Sequence, residues 1–259
     1  MLRAATGLLA SALLALAAPA GAEAAPLRTV YTISLIGLPV GRAEFRTTID
    51  ARRFKVEGTL SSAGLAELVS STRGTSSVSG RIAGRRLLAD RYALAYTSDG
   101  KSWASDLSLR SGSVVSAKVA PPARNPAPAD FVPVRRAQLT SVVDPLSGLM
   151  IAPGKPDDLC RRTLNVYDGW SRIDLPLSPA GMERVRTDGF DGEAVVCTTT
   201  VRPVGGYRTS SNGLRFLRGK VIRLWFAPIG DTGVYAPVRV RIPTEVGPLS
   251  LTASTFAKP

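Results

Sequence analysis

Apolar and polar residues alternate along most of this chain, and each alternating run is short. Tyr31–Ile36 reads YTISLI, and the same alternation returns in Ala43–Ile49 and in Phe54–Leu60. A period of two is typical of strands that bury one face. Gly37–Gly41 forms a turn between the first two runs because glycine and proline interrupt regular structure. These features predict an antiparallel meander.

The same pattern continues to the end of the chain. A second meander is predicted between residues 74 and 119, where Asp99-Gly100 is a strong hairpin signal. The further predicted strands are Gly74–Ile82, Arg85–Thr97, Ser102–Arg110, Ser113–Val119, Arg161–Val166, Ser171–Leu177, Glu193–Val201, Val221–Ala227, Val234–Arg241 and Leu249–Phe256. Such a sequence predicts a mainly β protein.

Two segments break the alternation and predict two or three short helices. Apolar residues in Ala63–Ser71 follow the i, i+3, i+4 spacing of a helix that would cover a sheet face or plug a barrel end. Arg136–Ala152 is expected to be helical in two pieces, with Asp144 as N-cap before Pro145.

A proline-rich connection divides the predicted strands. Ala120–Val134 holds five prolines in fifteen residues, which excludes a strand or helix interior and predicts a long crossing loop. Phe131 and Val132 within it are expected to pack, so we expect one domain over residues 23–259 rather than two domains joined by a hinge.

Many short antiparallel strands must hide their edges. We therefore predict one large antiparallel sheet, curled into a barrel-like or spiral form with the short helices plugging or flanking it. An outer-membrane barrel is the competing fold, but such barrels have longer strands and aromatic girdles. The aromatic content here is only 6%.

The N-terminus reads as an export signal. Arg3 precedes the apolar run Leu8–Ala18, and small residues follow, so cleavage is expected after Ala22 or Ala24. The run is too short to favour the alternative, an uncleaved membrane anchor. Residues 1–22 are therefore predicted to be a signal peptide that directs the chain to the periplasm.

The chain is strongly basic, with a net charge of +13 that falls to +12 when Arg3 is removed. Export excludes nucleic acid as a target, so the charge favours anionic envelope components, including an anionic membrane surface. The alternative is compositional, since arginine-rich exported proteins are common in GC-rich genomes. The candidate ligand-binding residues are Arg81, Arg85, Arg86, Arg161, Arg162, Arg215, Arg218 and Lys220, with Arg91 beside them; the competing interpretation is solvated strand edges.

The chain contains no histidine. This excludes Ser-His-Asp and Cys-His catalysis and most zinc sites. Asp188, Asp191 and Glu193 offer hard oxygen ligands for calcium, but a polar turn is the favoured interpretation. We expect no metal, no cofactor and no enzyme activity.

The chain contains two cysteines, Cys160 and Cys197. An even count in an oxidising compartment favours a disulfide between them. The alternatives are two free thiols or a redox pair, although the Cys-x-x-Cys spacing of redox pairs is absent.

Several short motifs resemble the bacterial periplasmic family known as domain of unknown function 3108. They are Tyr31–Phe45, Asp144–Ser147, Val166–Gly169, Val196–Tyr207, Ile222–Phe226 and Tyr235–Arg239. The resemblance implies a secreted, largely β protein, with no established activity or cofactor. In architecture the family is also similar to envelope-integrity proteins that form a curled β-spiral tied by one disulfide.

These observations favour a non-enzymatic periplasmic protein that supports envelope homeostasis by binding a lipid, glycan or protein of the envelope. Two alternatives stay open. One is a lipid or lipopolysaccharide carrier with a hydrophobic cavity. The other is a histidine-free carboxylate hydrolase that acts on cell-wall polymer.

Overall fold

The computed structural model of the protein describes residues 25–64, 71–152 and 155–258. The predicted signal peptide, and residues 65–70 of the predicted first helix, lie outside these ranges. The strands are β1 (Ala25–Leu35), β2 (Leu38–Ile49), β3 (Arg53–Ser62), β4 (Thr72–Ala83), β5 (Arg86–Ser98), β6 (Lys101–Arg110), β7 (Ser113–Ala120), β8 (Phe131–Val132), β9 (Thr163–Tyr167), β10 (Arg172–Pro176), β11 (Ser178–Thr187), β12 (Phe190–Thr199), β13 (Arg202–Gly205), β14 (Tyr207–Arg208), β15 (Ile222–Pro228), β16 (Tyr235–Thr244) and β17 (Gly247–Ala257).

Twelve of these strands form one antiparallel sheet in the order β11-β12-β15-β16-β17-β1-β2-β3-β4-β5-β6-β7. The first strand pairs with the last, because β1 lies between β17 and β2. The sheet is open, with β7 and β11 at its edges. Two smaller sheets accompany it, β13-β10-β9 and β14-β8. The predictions of a mainly β protein and one large antiparallel sheet are confirmed.

The register explains how the N-terminal meander builds its core. Val56 pairs with Val78, Val78 with Tyr92, and Tyr92 with Leu107, so these four side chains form a row across β3 to β6 on one face. All four are buried. Removing each of them from water contributes about 1.5–3 kcal/mol. We call this side of the sheet the core face and the opposite side the outer face.

The core shows that the sheet is curled. Val78 of β4 and Trp225 of β15 belong to the same buried cluster, although six strand spacings separate them in the sheet. At about 4.8 Å per spacing, a flat sheet would hold these side chains nearly 30 Å apart. One apolar cluster is continuous between them, so the core face turns inward on itself.

Strands β12 and β15 are covered on both faces. Ala194 and Val196 of β12 join the first cluster, whereas Val195 and Cys197 join a second cluster. This explains why β12 reads as a continuous apolar run rather than an alternating one. The second cluster encloses the disulfide between Cys160 and Cys197, which confirms the predicted pairing.

Few helices occur in the described ranges. They contain one α-helix, α1 (Asn212–Leu217), which the sequence pattern did not predict. Arg136–Ala152 holds two 3-10 turns, Arg136–Leu139 and Ser147–Leu149, in place of the two predicted helical pieces. A third 3-10 turn spans Pro156–Asp158. None of the described helices is long and apolar enough to cross a bilayer.

Backbone pairing explains why Arg136–Ala152 forms no longer helix. The Val142 N–H donates to the Gly112 carbonyl at 2.8 Å, and the Val143 N–H donates to the Asn165 carbonyl at 2.9 Å. These bonds bind the middle of the segment to the β6–β7 turn and to β9. Asp144 is not the N-cap that the sequence predicted, because Leu146 occupies that position of the 3-10 turn. The Oδ1 atom of Asp144 instead holds the start of the turn by accepting the N–H groups of Leu146 and Ser147, each at 2.9 Å.

Asp144 stabilises the segment that follows it by accepting two backbone N–H groups. Its side chain is fully buried and also accepts the Ser147 hydroxyl. Asp144→Ala leaves these donors without an acceptor, so we expect the free energy of unfolding to fall by about 2 kcal/mol in urea titrations at pH 7. Asp144→Asn retains an acceptor oxygen and is expected to lose less than half as much. Equal losses for the two variants would contradict the assigned hydrogen bonds.

Candidate functional site

Three of the predicted cationic residues meet at one cavity. Arg85 and Arg86 lie at the β4–β5 turn, and Arg162 follows the second cluster's Cys160 by two residues. All three line a cavity of about 250 Å³, which we call the arginine cavity. Ligand pockets for drug-sized molecules are typically 300–1,000 Å³, so this cavity suits a single small headgroup.

Three structural elements hold the cavity in place. The Cys160–Cys197 disulfide fixes the chain just before Arg162, and the Leu177 N–H donates to the Arg162 carbonyl at 2.8 Å. The β6–β7 turn approaches through Gly112, whose φ of +81° suits glycine. A Cβ built at Gly112 would lie 3.8 Å from the Arg86 guanidinium, so this turn supports the cavity wall.

The cavity combines cationic walls with an apolar floor. The floor consists of Val142, Val143, Met150, Ile151 and Ala152, and the polar lining residues include Ser141, Thr163 and Asn165. Among the described lining residues none is acidic. A group bound there would meet positive charge at the rim and aliphatic carbon below.

Arg162 is the most unusual of the three arginines. Burial lowers the pKa of its guanidinium, the nearby Asp158 charge raises it, and the Arg85 charge lowers it further. The group nevertheless stays charged, because arginine is not deprotonated in proteins. Its Nε is buried and has no hydrogen-bond partner in the described structure, while one terminal nitrogen donates to the Asp158 carbonyl at 3.5 Å. A buried donor without a partner is the kind of group that an anion satisfies.

The other candidate arginines lie elsewhere. Arg81 points to Asp90, with an ion pair of 3.6 Å, and donates to the Ser111 hydroxyl at 3.1 Å. Arg161 is exposed beside the cavity but does not line it. Arg91 pairs with Asp106 across β5 and β6. Arg215, Arg218 and Lys220 lie on α1 and the connection to β15, and they do not line the cavity.

Of the three acidic residues considered for calcium, Asp191 is engaged with arginine. Asp191 forms ion pairs of 2.8 Å with both Arg184 and Arg186, and these hydrogen bonds lower the pKa of its carboxyl. Asp188 exchanges backbone hydrogen bonds with β17. Within the described ranges, no group of three or more His, Cys, Asp or Glu side chains is arranged to hold a metal ion.

A second concave surface was not predicted from the sequence. An open groove of about 930 Å³ crosses the outer face of β2 to β7, and we call it the outer groove. Two rows of paired residues run across the strands and line it. The first row is Glu44, Thr59, Thr75, Ala95, Ala104 and Ala120. The second row is Arg46, Glu57, Ser77, Ala93, Asp106 and Lys118. The groove is concave because its central strands, β4 and β5, carry only Thr, Ser and Ala in these rows. The groove was not predicted because the rows depend on how the strands pair.

The fold defines the class of protein: one large, curled, open antiparallel sheet with its core on the inner face. It is similar to the crystal structure of a β-barrel-like protein of domain of unknown function DUF1849 from Brucella abortus, with a TM-score of 0.53 and 10% sequence identity. The match covers 90% of this chain and 97% of that one, and it shows the fold alone. No curated protein matches the chain.

The family is established by sequence. Residues 30–254 match the family described as Protein of unknown function (DUF3108). The chain therefore belongs to this family, which confirms the resemblance carried by its short motifs.

Proposed function

We propose that this protein is a periplasmic binding protein that holds an anionic component of the cell envelope in the arginine cavity. One observation carries the proposal: Arg85, Arg86 and Arg162 converge on a cavity whose described lining has no acidic residue. The protein supports envelope homeostasis by retaining this component and performs no chemistry on it.

The proposed ligand carries a phosphate or carboxylate on a short aliphatic group. Guanidinium groups form forked, charge-assisted hydrogen bonds with both anions, and three of them line the cavity. The apolar floor favours hydrocarbon next to the charge. We place no acyl chains inside the curled sheet, because side chains such as Phe54, Tyr92 and Leu107 fill its core face.

The test is binding of two defined probes, inorganic phosphate and dihexanoyl phosphatidylglycerol, measured by isothermal titration calorimetry. Arg162→Gln is expected to weaken binding of at least one probe by about tenfold or more. Arg161→Gln is the matched control, since it removes the same charge one residue away but outside the cavity. We expect its affinity to stay within about twofold of the natural protein.

Two results would overturn the proposal. In one, neither probe binds the natural protein at millimolar concentration. In the other, Arg161→Gln and Arg162→Gln weaken binding equally, which would show a diffuse charge effect instead of a site. Arg162→Lys separates charge from fork geometry, and we expect it to recover only part of the lost affinity.

A further inference from the structure

Exposed apolar side chains concentrate at one end of the sheet. Seven large apolar residues are exposed in the described ranges, and four lie at the end formed by the β1–β2 turn, the β16–β17 turn and the start of β15. We call this the apolar end; its exposed residues are Ile36, Leu38, Val221 and Val246. The β4–β5 turn, which carries Arg85 and Arg86 of the arginine cavity, lies at the other end of β4, twelve residues or about 40 Å away.

The two turns at the apolar end are joined. The Ile36 N–H donates to the Pro248 carbonyl at 2.9 Å, and a Cβ built at Gly247 would lie 2.1 Å from the Ile36 side chain. Ile36, Leu38 and Val246 are 55%, 58% and 68% exposed. These side chains therefore project into solvent from one supported surface.

Isoleucine is an unfavourable residue for the turn that Ile36 occupies. Its φ is +46° and that of Gly37 is +86°, as in a type I′ turn, where Asn-Gly is the usual pair. A β-branched residue is strained in this left-handed conformation. More than half of the Ile36 side chain stays exposed despite its contact with Gly247, as expected of a side chain that also contacts something outside the chain.

Basic residues surround the apolar end. Three of them come just before Val221: Arg215, Arg218 and Lys220. Two others, Arg42 of β2 and Arg73 of β4, both pair with Ser61 of β3. Acidic side chains near this end include Asp99, in the β5–β6 turn, Glu245, which shares a cavity with Arg215, and Glu183, which forms an ion pair with Arg223. Positive charge therefore predominates around the exposed apolar turns.

We infer that the apolar end docks on the surface of an anionic lipid bilayer. Ile36, Leu38 and Val246 would enter the boundary between headgroups and acyl chains, and the surrounding cations would face the lipid phosphates. Apolar tips flanked by arginine suit this surface because arginine can keep its guanidinium at the headgroups while its stem lies in apolar surroundings. This inference uses none of the residues of the arginine cavity.

The test is flotation with vesicles of phosphatidylglycerol and phosphatidylethanolamine, compared with vesicles of phosphatidylcholine. The natural protein is expected to float with the anionic vesicles and to be released by salt. Ile36→Asn/Leu38→Ser/Val246→Ser is expected to lower partitioning by about tenfold. This variant should fold, because asparagine followed by glycine suits the turn; thermal unfolding checks this.

Val115→Ser/Met182→Ser is the matched control, since it removes two exposed apolar side chains that lie away from the apolar end. We expect it to float like the natural protein. Equal flotation of the apolar-end variant and this control would overturn the inference. So would absence of flotation with anionic vesicles, or sedimentation showing that the apolar-end substitutions abolish a dimer instead.

Discussion

Replacing both Cys160 and Cys197 with alanine is expected to lower the free energy of unfolding by about 4 kcal/mol. The two cysteines are 37 residues apart, and the chain-entropy model assigns about this value to a loop of that length. Both sulfurs are buried in the second apolar cluster, where alanine fits without adding a polar group. Urea unfolding of the natural and double-variant proteins measures the difference.

The matched control is the natural protein unfolded with a reductant present. It should lose nearly the same free energy as the double variant, because both lack the covalent link. A double variant as stable as the oxidised protein would show that the disulfide does not constrain the unfolded chain. The variant should also weaken anion binding, since the bond fixes the backbone two residues before Arg162.

Phe226→Ala is expected to cost about 3–5 kcal/mol. Phe226 is fully buried and packs in the second cluster with Val195, its partner across β12 and β15. Removing the ring loses its transfer free energy and leaves a cavity that the surrounding sheet cannot close. Chemical denaturation followed by tryptophan fluorescence gives the value.

Phe226→Leu serves as the conservative comparison and should cost less than the alanine change. Val115→Ala on the exposed edge strand β7 should change stability by less than about 0.5 kcal/mol. A loss below about 1 kcal/mol for Phe226→Ala would contradict the packing assigned to this cluster. Because Phe226 and the disulfide share the cluster, combining their variants should give a non-additive loss.

The N-terminal meander could be predicted closely from sequence because each strand obeys a simple local rule. Phe54 and Val56 alternate with charged residues, and β3 buries them as expected. Such alternation depends only on neighbours along the chain. The same holds for Cys160 and Cys197, where the number of cysteines and the predicted export were enough to favour pairing.

The remainder depends on contacts between distant segments. Strand β11 was missed because Pro179 and Gly181 interrupt its pattern, yet it pairs with β12 along most of its length. Helical spacing in Arg136–Ala152 was overridden by backbone bonds to Gly112 and Asn165. The sequence identified the individual arginines, but only the tertiary fold brings Arg85 and Arg162 to one cavity that Arg215 does not line.

The pairing of β1 with β17 has a consequence for the order in which this protein folds. Arg28 lies opposite Ala257, so one neighbour of β1 is β17, which is far from it in sequence. Until β17 has been synthesised, β1 has one free edge, and β1 to β7 are not joined to β11, β12, β15 and β16. Completion of the sheet therefore waits for β17, and contacts between residues so far apart in sequence make this step slow.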